Sequence, residues 1–85
     1  MPKYEVEITQ YAERQFRKID RQHWNSLRQA IKLLGEEPRP FGYKKLKGRE
    51  AYRIRMGDYR VIYEIFDKKL VVQVIEIGHR REIYD

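Results

Sequence analysis

Hydrophobic residues recur with two different periods in the first half of the chain, and these periods predict one strand and two helices. Strict alternation with charged residues, the pattern of a half-buried strand, is shown by Tyr4, Val6 and Ile8. Thr9 can cap a first helix. Its apolar positions follow helical spacing at Ala12, Phe16 and Ile19. Asp20 can cap a second helix, which ends at Gly35. Its apolar positions are Trp24, Leu27, Ile31 and Leu34.

Prolines and glycines separate this helical hairpin from a second half that is rich in strand patterns. Pro38, Pro40 and Gly42 predict a loop over residues 36–43, since proline cannot continue a helix or a central strand. Three strands follow, at residues 51–56, 59–66 and 70–77. The order of elements predicts an α+β fold in which an N-terminal strand, a helical hairpin and a three-stranded antiparallel meander form a four-stranded sheet. At this length we expect a single domain over residues 1–85.

The turn at Gly57 and Asp58 fixes the pairing of the strands on either side of it. Arg55 then lies opposite Arg60, and Arg53 shares their face because side chains alternate. Like charges directly opposite each other destabilise a sheet by up to about 1 kcal/mol, and a bound anion removes that repulsion. The donor fork of arginine suits phosphate oxygens. The alternative is that the arginines spread apart and pair with carboxylates, for which the candidates are Glu64 and Glu76.

The net charge of the chain comes from one segment. The 85 residues carry 19 Lys and Arg against 13 Asp and Glu, a net charge of +6. Residues 39–60 contain eight basic residues against Glu50 and Asp58, and eight minus two is also +6. The eight are Arg39, Lys44, Lys45, Lys47, Arg49, Arg53, Arg55 and Arg60. One sign concentrated in one segment indicates a polyanionic partner, either a nucleic acid or an acidic protein; the alternative is a solvated basic loop without a partner.

Other chemistry is poorly supplied. The chain has no cysteine, its two histidines lack metal-site spacing, and its single serine lies within a predicted helix. We therefore expect neither a metal nor another cofactor. The longest apolar runs are three residues long, whereas a membrane span needs about twenty. Charged residues near the N-terminus do not fit a secretion signal. These features favour a cytoplasmic protein without membrane contact.

The last predicted strand should return beside Tyr59 and Arg60, because the meander is antiparallel. Arg80 and Tyr84 follow it and can join the arginines. Positive neighbours would lower the pKa of Tyr84 from about 10. The alternative for Tyr84 is a terminal apolar contact.

Three segments carry a family resemblance: residues 45–48, 51–63 and 78–84. They resemble RelE-type toxins of the RelE/ParE superfamily of toxin–antitoxin modules. The resemblance implies a ribonuclease that enters the ribosomal A site and cuts the messenger. In the implied reaction the RNA 2′-hydroxyl attacks the adjacent phosphate. The products have 2′,3′-cyclic phosphate and 5′-hydroxyl ends. The functional residues implied for this sequence are Lys47, Arg53, Arg55, Arg60, Arg80 and Tyr84.

The resemblance also implies roles for these residues. Tyr84 takes the 2′-hydroxyl proton with His79 as a helper, while Arg60 and Arg80 stabilise the charge that grows on the phosphate. Arg53 and Arg55 stand where known bacterial members have lysines, and because arginine does not give up its proton, both are clamps. Residues expected to bind messenger or ribosomal RNA are Lys44, Lys45, Lys47, Arg49, His79 and Arg81.

The implied partner is a cognate RelB-like antitoxin. It would fold an amphipathic segment over the domain, cover the basic residues with acidic ones and form a heteromer. Two other functions stay open at this point. One is a ParE-like toxin that poisons DNA gyrase, and the other is a basic module that binds RNA or antitoxin without catalysis.

Overall fold

The computed structural model describes residues 3–79 and Arg81, and this part of the chain forms two α-helices packed on one face of a five-stranded sheet. The elements are β1 (Glu5–Ile8), α1 (Gln10–Arg17), a 3₁₀ turn (Arg21–His23), α2 (Trp24–Leu33), β2 (Lys44–Lys45), β3 (Tyr52–Met56), β4 (Tyr59–Phe66) and β5 (Val71–His79). Neither α-helix of this described part is long and apolar enough to cross a membrane.

The sheet confirms the predicted α+β class and adds one strand to it. Its strand order is β1-β5-β4-β3-β2, with β1 parallel to β5 and the other neighbours antiparallel. The prediction of four strands is therefore wrong, because it lacks the short edge strand β2. Two residues are too few to show an alternating pattern, and β2 forms through its pairing with the start of β3, where Lys44 lies opposite Arg53.

Both predicted caps form, although one of them begins a different element. The Thr9 side chain accepts a hydrogen bond from the Ala12 amide at 3.1 Å and starts α1. Asp20 accepts from the Gln22 amide at 3.2 Å, but it opens the 3₁₀ turn, and α2 begins only at Trp24. The sheet and the two helices bury the main core between them. Its largest fully buried side chains are Tyr63, Leu27, Leu34, Ile77, Val61, Val72 and Val74.

A bulge in β5 decides which face of the sheet its last residues occupy. Ile62 of β4 pairs with Glu76, whereas the next residue, Tyr63, pairs with Val74. Ile75 is therefore the extra residue, and the alternation of β5 is reversed beyond it. Both Val74 and Ile77 consequently lie in the main core, on either side of the bulge.

The sheet face away from the helices, here called the open face, carries a small apolar cluster of its own. Leu46, Ala51 and Ile62 are buried there, and Ile75 packs against them. The Leu46 amide donates to the Ala51 carbonyl at 2.9 Å and closes the turn between β2 and β3. This cluster fixes the edge of the sheet on which the basic segment lies.

Candidate nucleic-acid interface

The hairpin of β3 and β4 has the predicted register and brings the arginines to the open face. Arg55 lies opposite Arg60, and Arg53 lies opposite Ile62. Gly57 has φ +60°, while Asp58 has no positive φ. This is the type II′ geometry that suits a two-residue hairpin. We call Lys44, Arg53, Arg55 and Arg60 the basic face. It contains two like-charge pairs side by side, one across β2 and β3 and one across β3 and β4.

The three arginines of the basic face differ in exposure. Arg55 is exposed, Arg60 is half-buried with a buried Nε atom, and Arg53 is 6% exposed. Gly78, which has no side chain, lies opposite Arg60 on β5, so the Arg60 side chain has room to lie over that strand. Arg55 and Arg60 are therefore the arginines that a phosphate in solution can reach most directly.

Glu64 and Glu76, the carboxylates expected to pair with these arginines, form no ion pair with a described residue. Ion pairs among residues 3–79 include Arg17–Glu13, Arg39–Asp67 and Lys45–Glu50. Over the same residues, no carboxylate lies within ion-pair distance of Lys44, Lys47, Arg49 or Arg55. Their charge is available to a polyanion.

Two basic residues of the segment 39–60 serve other purposes. Arg39 donates to both carboxylate oxygens of Asp67, at 3.2 and 2.9 Å, and its guanidinium lies 5.9 Å from the ring centroid of Tyr52. Lys45 forms an ion pair with Glu50 at 3.2 Å. It lies opposite Tyr52 in the pairing of β2 with β3, on the helix-covered side of the sheet. Lys45 was expected to bind RNA, but the structure does not bring it to the basic face.

The carboxylate of Asp67 holds three elements together. Besides the two bonds from Arg39, it accepts a 2.6 Å hydrogen bond from the Tyr4 hydroxyl. The bonds from Arg39, and then the one from Tyr4, lower the pKa of Asp67. The same bond to Asp67 raises the pKa of Tyr4. Arg39 thus anchors the loop before β2 to the turn after β4 and contributes little free charge.

His79 lies on the helix-covered side of the sheet, away from the basic face. It pairs with Tyr59, and the two rings meet edge to face with centroids 5.6 Å apart. His23 lies 5.1 Å from the same tyrosine ring. Nδ1 of His79 accepts a 3.2 Å hydrogen bond from the amide of exposed Arg81. The bulge in β5 accounts for this placement, because unbroken alternation would direct His79 to the open face.

The remaining predicted site residues lie on β2, in the turn that follows it, or outside the described part of the chain. Lys47 and Arg49 are exposed in the turn between β2 and β3, and Lys44 is exposed on β2. Arg80 and Tyr84 lie outside the described residues, so their roles stay predictions. Among the described residues no three His, Asp or Glu side chains converge as a metal site. Sequence reasoning missed a pocket at the end of β5. Its signal in the sequence was the helical spacing of Tyr11 and Arg14 of α1 and of Lys18 directly after α1.

Known proteins share both the fold and the sequence pattern of this chain. A family model described as the ParE toxin of the type II toxin–antitoxin system parDE matches residues 6–84. The mRNA interferase toxin RelE of Escherichia coli is 30% identical over an alignment of 86 positions, which covers 95% of this chain and 90% of RelE.

Two solved complexes contain chains with the same fold. The archaeal RelE–RelB complex from Pyrococcus horikoshii matches with a TM-score of 0.81 and 29% identity over 95% of this chain and 99% of the matched one. The toxin–antitoxin complex RelBE2 from Mycobacterium tuberculosis matches with a TM-score of 0.82 and 26% identity, over 94% of this chain and 100% of the matched one. The sequence, the sheet order and these likenesses agree, and the chain belongs to the RelE/ParE superfamily of toxins from type II toxin–antitoxin systems.

Proposed function

We propose that this toxin is an endoribonuclease that cuts messenger RNA in the ribosomal A site. The observation that supports this most directly is the pair Arg55 and Arg60, held opposite each other on the open face beside Lys44 and Arg53. Such a pair costs stability in the free protein, and a phosphodiester placed between the two guanidinium groups would offset that cost. The similarity to a RelE named as an mRNA interferase supports the same activity.

The proposed chemistry is transfer of the phosphate to the neighbouring 2′-oxygen. As the 2′-oxygen bonds to phosphorus and the 5′-oxygen leaves, negative charge grows on the phosphate oxygens. Arg55 and Arg60, with Arg80, would stabilise that charge through fixed donors. Tyr84, as its phenolate, would accept the 2′-hydroxyl proton, and the departing 5′-oxygen would take a proton from water, which gives 2′,3′-cyclic phosphate and 5′-hydroxyl ends. Buried Arg53 would act by positioning its neighbours, while Lys44, Lys47 and Arg49 would hold the RNA backbone.

The proposed setting is the cytoplasm, where a cognate RelB-like antitoxin would hold the toxin in a heteromer until the antitoxin is lost. Support comes from the relatives, which were solved as toxin–antitoxin complexes. Lys44 and Arg55, which form no ion pair with a carboxylate of residues 3–79, would attract acidic side chains of such a partner. The ribosome would supply both the strained messenger and ribosomal RNA for the remaining basic side chains.

Poisoning of DNA gyrase is the second candidate, because the matching family model is described as a ParE toxin. It differs from the first in its target. A gyrase poison would leave messenger intact and disturb DNA supercoiling. A binding module would leave both unchanged.

Purified translating ribosomes carrying an end-labelled messenger provide the test. We expect the wild-type chain to yield fragments that end in 2′,3′-cyclic phosphate. Arg60→Ala should slow cleavage by about 10²-fold, the loss typical of one charge-stabilising donor, and Tyr84→Phe should slow it as well. Lys32→Ala is the control, since Lys32 is an exposed lysine on α2, on the other side of the sheet. Undiminished cleavage by both active-site variants would refute the assignment, and intact messenger with inhibited gyrase would favour the second candidate.

A further inference from the structure

A second concentration of positive charge lies on the helix-covered side of the sheet. There α1 and the ends of β4 and β5 line an open pocket of about 440 Å³. Buried Ile77 and Gly78 lie at its inner side. The side chains around it that can bind a ligand are Tyr11, Arg14, Lys18, Tyr59 and His79. The pocket therefore combines two permanent cations with aromatic and imidazole rings.

The charges on α1 are arranged differently on two neighbouring stripes. Glu13 and Arg17, four residues apart, form an ion pair at 3.1 Å. Arg14 and Lys18, the C-cap residue that directly follows α1, have the same spacing but carry like charges, which destabilises an isolated helix. Both line the pocket, and none of the described residues that line it is acidic. An anion in the pocket would offset this repulsion.

Aromatic and imidazole rings lie beside these cations. Tyr59 lies between His23 and His79, with ring centroids 5.1 and 5.6 Å away. Since Nδ1 of His79 accepts from the Arg81 amide, a neutral His79 ring carries its proton on Nε2, which is a hydrogen-bond donor. Aromatic rings beside cations are the combination that binds nucleotides, through the base and the phosphate respectively.

We propose that this pocket binds a nucleotide, with Arg14 and Lys18 on the phosphate and the Tyr59–His79 pair beside the base. The nucleotide is either free or part of an RNA strand, and only the RNA form rests on the proposed function. Tyr59 and Arg60 are consecutive residues that point to opposite faces. A strand held at Arg60 could therefore continue around the end of the sheet into the pocket.

NMR of the histidine side chains tests the proposal, because His23 and His79 are the only histidines in the sequence. At constant ionic strength, 5′-AMP should shift the His79 signal in a saturable manner, and adenosine should not, because it lacks the phosphate. Arg14→Gln should weaken 5′-AMP binding about fivefold to tenfold, whereas Arg17→Gln, which removes the same charge from the same helix, should change it less than twofold. Equal affinities of these two variants, or an unmoved His79 signal, would overturn the proposal.

A second titration distinguishes a free nucleotide from a nucleotide within an RNA strand. It uses a short single-stranded RNA that carries 2′-O-methyl groups and resists cleavage. Tighter binding of this RNA than of 5′-AMP, lost in Arg14→Gln, assigns the pocket to an RNA strand. Equal or weaker binding assigns it to the free nucleotide. Wild-type messenger cleavage is measured in parallel. If the messenger stays intact while 5′-AMP binds, the proposed nuclease function fails and the pocket stands.

Discussion

At the scale of single residues, the basic face places the same side chain in different environments. Arg55 is exposed and lies opposite another arginine, whereas Arg53 is 6% exposed and lies between Lys44 and Ile62. A buried arginine contributes through its aliphatic stem and its hydrogen bonds as well as its charge. An exposed arginine contributes little to folding.

Two alanine variants separate these roles. Arg53→Ala should lower the free energy of unfolding by about 2–3 kcal/mol, because it removes a large buried side chain. Arg55→Ala should change it by less than about 0.5 kcal/mol, or raise it slightly, because repulsion from Arg60 is relieved. Urea unfolding followed by circular dichroism measures both. Equal losses of stability would show that burial does not distinguish the two arginines.

Gly35 is a second residue whose surroundings explain its identity. It follows α2 as predicted, but it does not use the left-handed conformation that often ends a helix at glycine. A Cβ atom there would lie 2.9 Å from the Tyr4 carbonyl oxygen and 3.1 Å from Cγ2 of Val6. The Gly35 carbonyl also accepts the Tyr4 amide at 2.8 Å. Glycine therefore allows the end of α2 to lie directly against the start of β1.

Gly35→Ala should consequently destabilise the protein by about 1–3 kcal/mol, as overpacking against backbone does. Thermal unfolding measures the loss. Gln29→Ala, on the exposed side of α2, is the control and should stay within about 0.5 kcal/mol of the wild type. A Gly35→Ala protein as stable as the control would mean that β1 moves away at no cost.

At the scale of elements, the Asp67 carboxylate ties the loop before β2 and the chain just before β1 to the turn after β4, through Arg39 and Tyr4. Its pKa is lower in the folded protein than in the unfolded chain, mainly because Arg39 donates to it. The folded carboxylate is thus favoured when ionised. The stability it adds is present above its unfolded pKa near 3.9 and is lost as the pH falls through the lower folded value.

Asp67→Asn should therefore lower the melting temperature at pH 7, and the difference from the wild type should shrink below pH 4. The contribution of Tyr4 to stability changes with pH in the opposite direction. Its pKa is raised by the same bond, so its contribution is present below about pH 10 and is lost at higher pH. Melting temperatures of the wild type and Asp67→Asn from pH 2.5 to 11 test both the loss at low pH and the loss at high pH. A constant difference over this range would contradict the role of the network.

Local rules predicted some elements and could not predict others. The β3–β4 hairpin follows from the Gly57–Asp58 turn, so its register and the grouping of Arg53, Arg55 and Arg60 are readable in sequence. The parallel contact of β1 with β5 and the two-residue strand β2 depend on distant partners. The bulge at Ile75 lies between Val74 and Glu76, and no glycine or proline marks it in the sequence. It reverses the side of the sheet on which His79 lies.

At the scale of the whole molecule, the excess charge matters through its position as well as its amount. Residues 39–60 carry a charge equal to the full net charge of +6, but Arg39 and Lys45 are paired with carboxylates. The exposed lysines and arginines of β2, of its following turn and of β3 remain to attract a polyanion. Such attraction speeds association and weakens as salt screens it.

The salt dependence of RNA binding therefore shows whether the location of a positive charge or only the total net charge decides the affinity. Lys47→Gln and Lys32→Gln both change the net charge from +6 to +5, yet Lys47 lies in the turn beside the basic face and Lys32 lies on α2. For a cleavage-resistant single-stranded RNA, Lys47→Gln should reduce the slope of log affinity against log salt by about 0.7, the value for one phosphate contact. Lys32→Gln should leave the slope unchanged. Fluorescence anisotropy between about 50 and 300 mM salt measures it. Equal slopes for the two variants would mean that the RNA responds to total charge alone and that the basic face does not locate it.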